Sequence, residues 1–343
     1  MLAPSEKRTD RPTLSFPRRV TAKPISAFVH LFDRVGALPF LFLIAIGLFS
    51  IDQPRFLTLN NLVNVGVQSS YLVIVALAQT LVIITAGFDL SVGATIALTS
   101  IVTALSMIAS GLPPWFGIAC GAVAALAVGF VVGAINGVFV ALTRISPLIV
   151  TLGMLTAVQG VALLISSGMS IYGMPPAYGR IFALGHVLGI PVPIAAAIFV
   201  LVVVHTLLFH ARAGRYIYAI GSNIRAARVS GISVRFYLWL AYSLAGLLTG
   251  FAGFLLTARV GSGEPSLGTN LPLMSIAAAV LGGVSLRGGQ GTALGPALGA
   301  VFIVMVTNGM DLNGIGSYTQ LVILGAVLVF AALIDMLHVS ERV

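Results

Sequence analysis

Beyond Lys23 the chain contains no lysine, and about ten long apolar segments, separated by short polar or Gly/Pro breaks, fill almost everything that follows. Stretches of some 20 apolar residues match a hydrocarbon core about 30 Å thick. Hydrophobic residues make up 58% of the 343 and charged residues only 8%, where soluble domains carry roughly 25% charged. No large soluble domain can be hidden in such a chain. It reads as an all-α polytopic membrane protein of about ten transmembrane helices with both termini cytoplasmic.

The apolar runs predict spans at 35–51, 61–84, 91–110, 115–142, 147–167, 192–209, 237–258, 271–283, 291–311 and 318–334. The eighth is short enough to be re-entrant. Three parts follow: a basic, disordered cytoplasmic tail over 1–34, a transmembrane domain over 35–335 with one polar cytoplasmic loop at 210–236, and a cytoplasmic C-terminal tail over 336–343. The first 30 residues contain no apolar core of a signal peptide and carry Pro4, Pro12, Pro17 and Pro24. A net charge of +9 raises the question of nucleic acid. Its distribution answers it: Lys7, Arg8, Arg11, Arg18, Arg19, Lys23 and Arg34 precede the first span, and Arg212, Arg215, Arg225, Arg228 and Arg235 share the 210–236 loop. With Arg144, Arg287 and Arg342 on the same side, only Arg55, Arg180 and Arg259 fall outside, which is positive-inside patterning. Cys120, the single cysteine, rules out an intrachain disulfide and a cysteine metal cluster.

Small residues recur every fourth position in the fourth span, at Gly117, Gly121, Ala125, Gly129, Gly133, Gly137 and Ala141. The same device appears at Gly246/Gly250 and at Gly291/Gly295/Gly299. In lipid these faces predict close helix packing and say nothing of substrate.

Asp89 is the costliest residue in the chain, a carboxylate in a short break between two apolar spans. It reads either as the cap of the third span, accepting from backbone N–H groups near Ser91 and Val92, or as a pathway residue; the cap reading carries more weight and the two are compatible. Gln68, Gln79, Asn136, Gln159, His205, Asn308 and Gln320 lie within spans, where each serves singly as interhelical glue or jointly as a lining for a polar solute. A P-loop needs a lysine that does not exist past Lys23, so the chain cannot bind ATP that way, and Gly288-Gly289-Gln290-Gly291 reads as an inner turn. Energy must come from a gradient or from another subunit.

Three segments carry a resemblance: Gly87-Phe88-Asp89-Leu90-Ser91-Val92-Gly93; Gly214-Arg215-Tyr216 through Gly221-Ser222-Asn223 and on to Gly231-Ile232; and Leu281-Gly282-Gly283-Val284-Ser285-Leu286 followed by Gly288, Gly289 and Gly291. Together they resemble the permease subunit of bacterial ABC sugar importers, the ribose/xylose/galactoside group related to branched-chain amino acid permeases. The resemblance implies a pair of permeases, homomeric or with a paralogue, in the inner membrane. Two cytoplasmic ATPase subunits would hold the ATP and Mg, a periplasmic binding protein would deliver a monosaccharide or polyol, and no cofactor would bind this chain. It places an ATPase-coupling helix in the 210–236 loop, and the run Ile224–Ser230 fits one, with Asn223 as cap, Arg225, Ala226, Ala227 and Arg228 inside and Gly231 as terminator. The family more often carries Pro and Glu at the positions of Ile224 and Arg225, so the charge at that interface is altered. The external stretch Ser167–Pro191 is where the resemblance would seat the binding protein. Two other classes compete: a secondary transporter with Asp89 as its titrating group, which lacks a second buried ionisable partner, and a membrane-embedded enzyme, for which lone His205 is weak support.

Overall fold

The computed structural model describes residues 38–109, 113–143, 145–323 and 325–326. The N-terminal tail, Arg144, the C-terminal tail and most of the tenth span lie outside the described residues. Twelve helices are bounded here: α1 Leu38–Asp52, α2 Leu59–Ile84, α3 Val92–Ala109, α4 Pro114–Leu142, α5 Pro147–Ser166, α6 Pro176–Phe182, α7 Val192–Phe209, α8 Arg212–Ser222, α9 Ile224–Val229, α10 Val234–Val260, α11 Leu271–Leu281 and α12 Leu294–Leu312. Residues 317–323 are helical as well. Two short strands, β1 His186–Val187 and β2 Ile190–Pro191, pair antiparallel between α6 and α7.

Seven of these helices, α2, α3, α4, α5, α7, α10 and α12, are long and apolar enough to cross a membrane. α2 lies at the centre. From Ser69 to Ile84 every residue of it is buried, as expected for a helix apolar on all sides. It packs against α7, α10, α11 and α12, while α3, α4 and α5 form a second group joined to it through α10. The outer helices keep apolar side chains bare: Leu148, Ile149, Leu152 and Leu164 on α5, and Phe199, Val202 and Val203 on α7. α5 has 20 residues, a rise of about 30 Å, so its bare apolar length equals the hydrocarbon thickness.

Glycine sets the closest contacts. A Cβ on Gly129 or Gly133 of α4 would collide with the carbonyls of Gly246 and Tyr242 on α10, and one on Gly250 with the Ala125 carbonyl. α11 and α12 meet the same way, with Gly282 against Gly295 and Gly299 against the Ala278 carbonyl. The α4 and Gly246/Gly250 faces read from the sequence are therefore one helix contact, and Gly295 and Gly299 belong to another; Gly291, read with them, lies in the turn before α12 and meets Val284 instead.

α11 is the exception to the span pattern. Its 11 residues rise about 16 Å, half the hydrocarbon core. It is anchored at one end by Gly282 against α12, and at the other by Pro272 near Gly93 of α3. The non-helical link from Gly261 to Asn270 runs back along α3: Gly263 lies by Ser100 and Ala104, and Gly268 by Ile96. The Glu264 N–H donates to Ser100 Oγ at 3.0 Å. This is the eighth segment, and it enters the bundle as a broken element.

Gly246→Leu forces a branched side chain into the Gly129 backbone, whereas a Cβ at Gly153 of α5 meets nothing within 4 Å. In detergent, Gly246→Leu should lose at least about 1–3 kcal/mol of stability, the usual cost of overpacking. Thermal unfolding followed by circular dichroism should show Gly153→Leu unchanged and Gly246→Leu melting earlier.

Candidate functional site

The sequence between α2 and α3 has seven residues in which to reverse direction inside an apolar bundle. α2 ends as Gly87 N–H donates to the Val82 carbonyl at 3.2 Å, with Ala86 in the left-handed region at φ 63. A Cβ at Gly87 would strike the Tyr242 hydroxyl, so only glycine lets the turn pass under α10. Asp89 follows, buried to 3% exposure. Its Oδ1 accepts from the Ser91 N–H at 2.9 Å and from Ser91 Oγ at 2.6 Å. Asn136 of α4 donates to Ser91 Oγ at 2.8 Å and reaches Asp89 Oδ1 at 3.4 Å. Gln79 of α2, with its amide oriented to satisfy both ends, pairs with the Asp89 peptide N–H and C=O at 3.2 Å each. Tyr242 of α10 donates to the Phe88 carbonyl at 3.3 Å. Leu90 is half-buried, and at Gly93 a Cβ would sit 2.7 Å from the Gly268 carbonyl oxygen. Three helices thus hold one turn, and the Asp89 carboxylate is spent on Ser91 and Asn136.

The 210–236 region is two helices, α8 and α9. α8 tucks Gly214 against the end of α7 and buries Ile217 and Ile220. α9 is closed at both ends as its residues demand. Asn223 Oδ1 accepts from Arg225 N and Ala226 N at 3.0 Å each, and Gly231 at φ 81 lets the Ile232 N–H reach the Ala227 carbonyl at 3.1 Å. Ala227 is buried with Ile220, Val234 and Leu238. Arg225, Ala226, Arg228 and Val229 stay exposed.

The Gly-rich turn between α11 and α12 joins these two sites. The Gly289 N–H donates to the Ile84 carbonyl at the end of α2, 2.8 Å away. A Cβ on Gly221 of α8 would collide with that carbonyl and with Gly289, a Cβ on Gly289 with Ser222, and a Cβ on Gly288 would sit 2.7 Å from Ala86 N. Tyr218 of α8 donates to the Gly291 carbonyl at 2.7 Å. Ser285 N–H reaches the Gln290 carbonyl at 3.2 Å, and Gly283 at φ 81 turns the chain out of α11. The three sequence segments converge at one end of the bundle, backbone against backbone.

The family described as branched-chain amino acid transport system / permease component matches residues 61–332, which contain all three segments. The chain belongs to that family. It is 39% identical over 296 residues to the ribose import permease of Escherichia coli K12, covering 85% of this chain and 91% of the relative. The ribose import permease of Bacillus subtilis 168 is 40% identical over 309 residues, 90% of this chain and 94% of the relative. The D-allose transport system permease of Escherichia coli K12 is 37% identical over 316 residues, 92% and 95% respectively. No solved structure matches the chain.

The permease is a membrane transport subunit, and its polar residues are distributed accordingly. Gln79 and Asn136, read singly as glue, both converge on the Asp89 turn. Asn308 pairs reciprocally with Asn61 at 2.8 and 3.1 Å, Gln159 donates to the Pro265 carbonyl at 2.7 Å, and Gln320 donates to Asp311 Oδ1 at 2.6 Å. His205 stacks near Phe209, 4.7 Å between ring centroids. Tyr242 and Tyr218 were invisible to sequence reasoning because neither an aromatic on an apolar helix nor one within a basic loop carries a signal for which carbonyl it meets. The Asp89 clamp is testable through Gln79→Leu, which leaves the Asp89 peptide N–H and C=O without their side-chain partner. A loss of roughly 1–3 kcal/mol per unpaired buried group is expected, read as a lowered melting temperature of the purified permease.

Proposed function

We propose that the permease is the membrane subunit of an ATP-driven importer of the bacterial inner membrane and carries a monosaccharide or a similar polyol. The observation that carries this reading is near full-length similarity to ribose and allose permeases at 37–40% identity, together with a capped helix, α9, standing exposed beside the place where the three segments meet. Two cytoplasmic ATPase subunits would bind ATP and Mg. A periplasmic binding protein would deliver the sugar, and a second permease, a copy or a paralogue, would complete the pathway.

Charge supports the orientation. Among the described residues Arg212, Arg215, Arg225, Arg228, Arg235 and Arg287 cluster at the α9 end, against Arg55, Arg180 and Arg259 at the other, so the α9 end faces the cytoplasm. Ten membrane segments with both termini inside follow if α1, the broken span made of the 261–270 link and α11, and the tenth apolar run each cross. The periplasmic end then carries α6, whose Tyr178 ring packs on Phe182 and Phe254 at 5.9 and 5.0 Å. It also carries the β1–β2 hairpin, whose tip residue Leu188 is fully bared; this ordered cap is the seat for the binding protein.

α9 would dock into the ATPase, offering exposed Arg225, Arg228 and Val229. Because Ala226 is exposed and Ala227 buried, the two substitutions separate docking from folding. In proteoliposomes with the cognate ATPase and binding protein, Ala226→Glu should leave the melting temperature unchanged and abolish stimulation of ATPase activity by the sugar-loaded binding protein. Ala227→Glu should lose both. Stimulation that survives Ala226→Glu would remove α9 from the coupling path.

A further inference from the structure

Two adjoining cavities open around the start of α11, and the Asp89 and α9 sites account for neither. The first, about 250 Å³, lies between α2, α10, α11 and α12; its polar lining is Gln68, Tyr71, Arg259 and Thr307. The second, about 340 Å³, is lined by the α10–α11 link itself, including Glu264, Ser266, Thr269 and Asn270. Leu256 and Leu271 border both. Non-helical backbone at membrane depth is tolerated where it lines a cavity or is buried in protein, since its N–H and C=O groups need partners. A helix that begins inside the bundle likewise aims its dipole at whatever occupies that depth.

A second observation points to a ligand. Tyr71 is 4% exposed and lines the first cavity; among the described residues its hydroxyl completes no well-aligned hydrogen bond, and it faces the Arg259 guanidinium. A buried hydroxyl left unpaired is costly, and the cost is recovered when a polar solute enters. Arg259 lies over the same ring, 5.7 Å from its centroid, and no carboxylate lines that cavity. With one side of the guanidinium turned to the Tyr71 hydroxyl, its remaining N–H donors can bond hydroxyl or ring oxygens. Glu264 in the neighbouring cavity has both oxygens engaged, by Ser170 at 2.6 Å and Ser262 at 2.5 Å.

We infer that the space around the α11 N-terminus is a solute-binding station for an uncharged polyol, with Tyr71, Gln68, Thr307 and Arg259 as its hydrogen-bonding groups. The inference rests on the sugar-importer reading and adds a site to it. A zwitterionic amino acid fits poorly. Its carboxylate would find Arg259, but the nearest carboxylate for its ammonium, Glu264, lies in the other cavity with each oxygen already hydrogen-bonded to a serine. The station therefore selects within the permease itself, against the cargo that the family's description names.

The test is protection from labelling. Cys120→Ser removes the only cysteine, and Thr307→Cys then places a near-isosteric thiol in the cavity. The full-length permease in liposomes is treated with a small maleimide in the presence of D-ribose, D-allose or L-leucine. One of the two sugars should slow the labelling about threefold at twice its dissociation constant, because the free fraction falls as one plus ligand over Kd, and L-leucine should not. Phe130→Cys, in an apolar groove on α4, should label at the same rate throughout. Tyr71→Phe, which keeps the ring and so the packing, should raise the sugar concentration needed for protection roughly 5- to 10-fold, the loss of one hydrogen bond. Absence of protection by either sugar, equal protection at Phe130→Cys, or protection by L-leucine would overturn the station. ATPase activity of the wild-type complex separates this from the importer reading: sugar-stimulated turnover without protection removes the station alone, while turnover stimulated by L-leucine and not by sugar removes both.

Discussion

Helix backbones touch through glycine in this bundle, and the positions of its polar groups follow from that contact. Apolar side chains gain little in lipid by exchanging acyl chains for one another, so close approach and the dispersion it brings must hold helices together. The α4–α10 contact has no adjustable part: Gly129, Gly133, Gly246 and Gly250 meet backbone, and a backbone cannot change rotamer. Because Gly133 lies against the Tyr242 carbonyl, Asn136, one turn along α4, arrives at Ser91, and the Tyr242 hydroxyl arrives at Phe88. A shift of α4 along α10 by one turn, about 5.4 Å, would break the glycine contact and the Asp89 clamp together. Packing and polar satisfaction are one event.

The clamp solves a problem set by the bilayer. A tight reversal between two buried helices exposes peptide groups that no helix pairs, and water is not at hand to pair them. Gln79 covers the Asp89 peptide, Tyr242 covers Phe88, and the Asp89 carboxylate covers Ser91. The buried carboxyl group is tolerable because Oδ1 receives two hydrogen bonds from Ser91, backed by Asn136. The same need recurs in the α10–α11 link, where Ser100 meets Glu264 N–H, Gln159 meets the Pro265 carbonyl, and Ile171 pairs with Gly263 in both directions.

Features whose physics is local were readable from the sequence. Asn223 and Gly231 bound α9 where cap and terminator chemistry put them, and the fourfold glycine spacing marked the buried face of α4. The α2–α3 turn and its Ser91 contact were readable for the same reason. Features that depend on which helices become neighbours were not. The pairing of Gln79 with Asp89, the meeting of Gly221 and Gly289 at the Ile84 carbonyl, and the path of 261–270 back along α3 rest on contacts between residues far apart in the chain. Hydropathy marked α11 as short but could not tell a brief span from a half-helix entered by an extended link, since both are apolar at the same positions. α8 went unread within a basic loop because its buried Ile217 and Ile220 are too few to outweigh its polar residues.

The centre of α2 makes it the element through which the two ends communicate. Its Ile84 carbonyl receives Gly289 and abuts Gly221, and α8 carries α9 through the cluster of Ile220 and Ala227. Thirteen residues away, close to 20 Å along the same helix, Tyr71 borders the cavity at the α11 N-terminus. A helix buried on every side cannot bend to absorb a push, because its neighbours fill the space a bend would need. Displacement at α9 must then move α2 bodily, or slide it past α11 and α12. Either motion changes the cavity, whose walls α2 shares with those two helices and α10. On the proposed reading, closure of the ATPases beneath α9 opens or shuts the station without any ligand touching both. The glycines of the inner turn suit this role: backbone contacts without side chains transmit force with little slack.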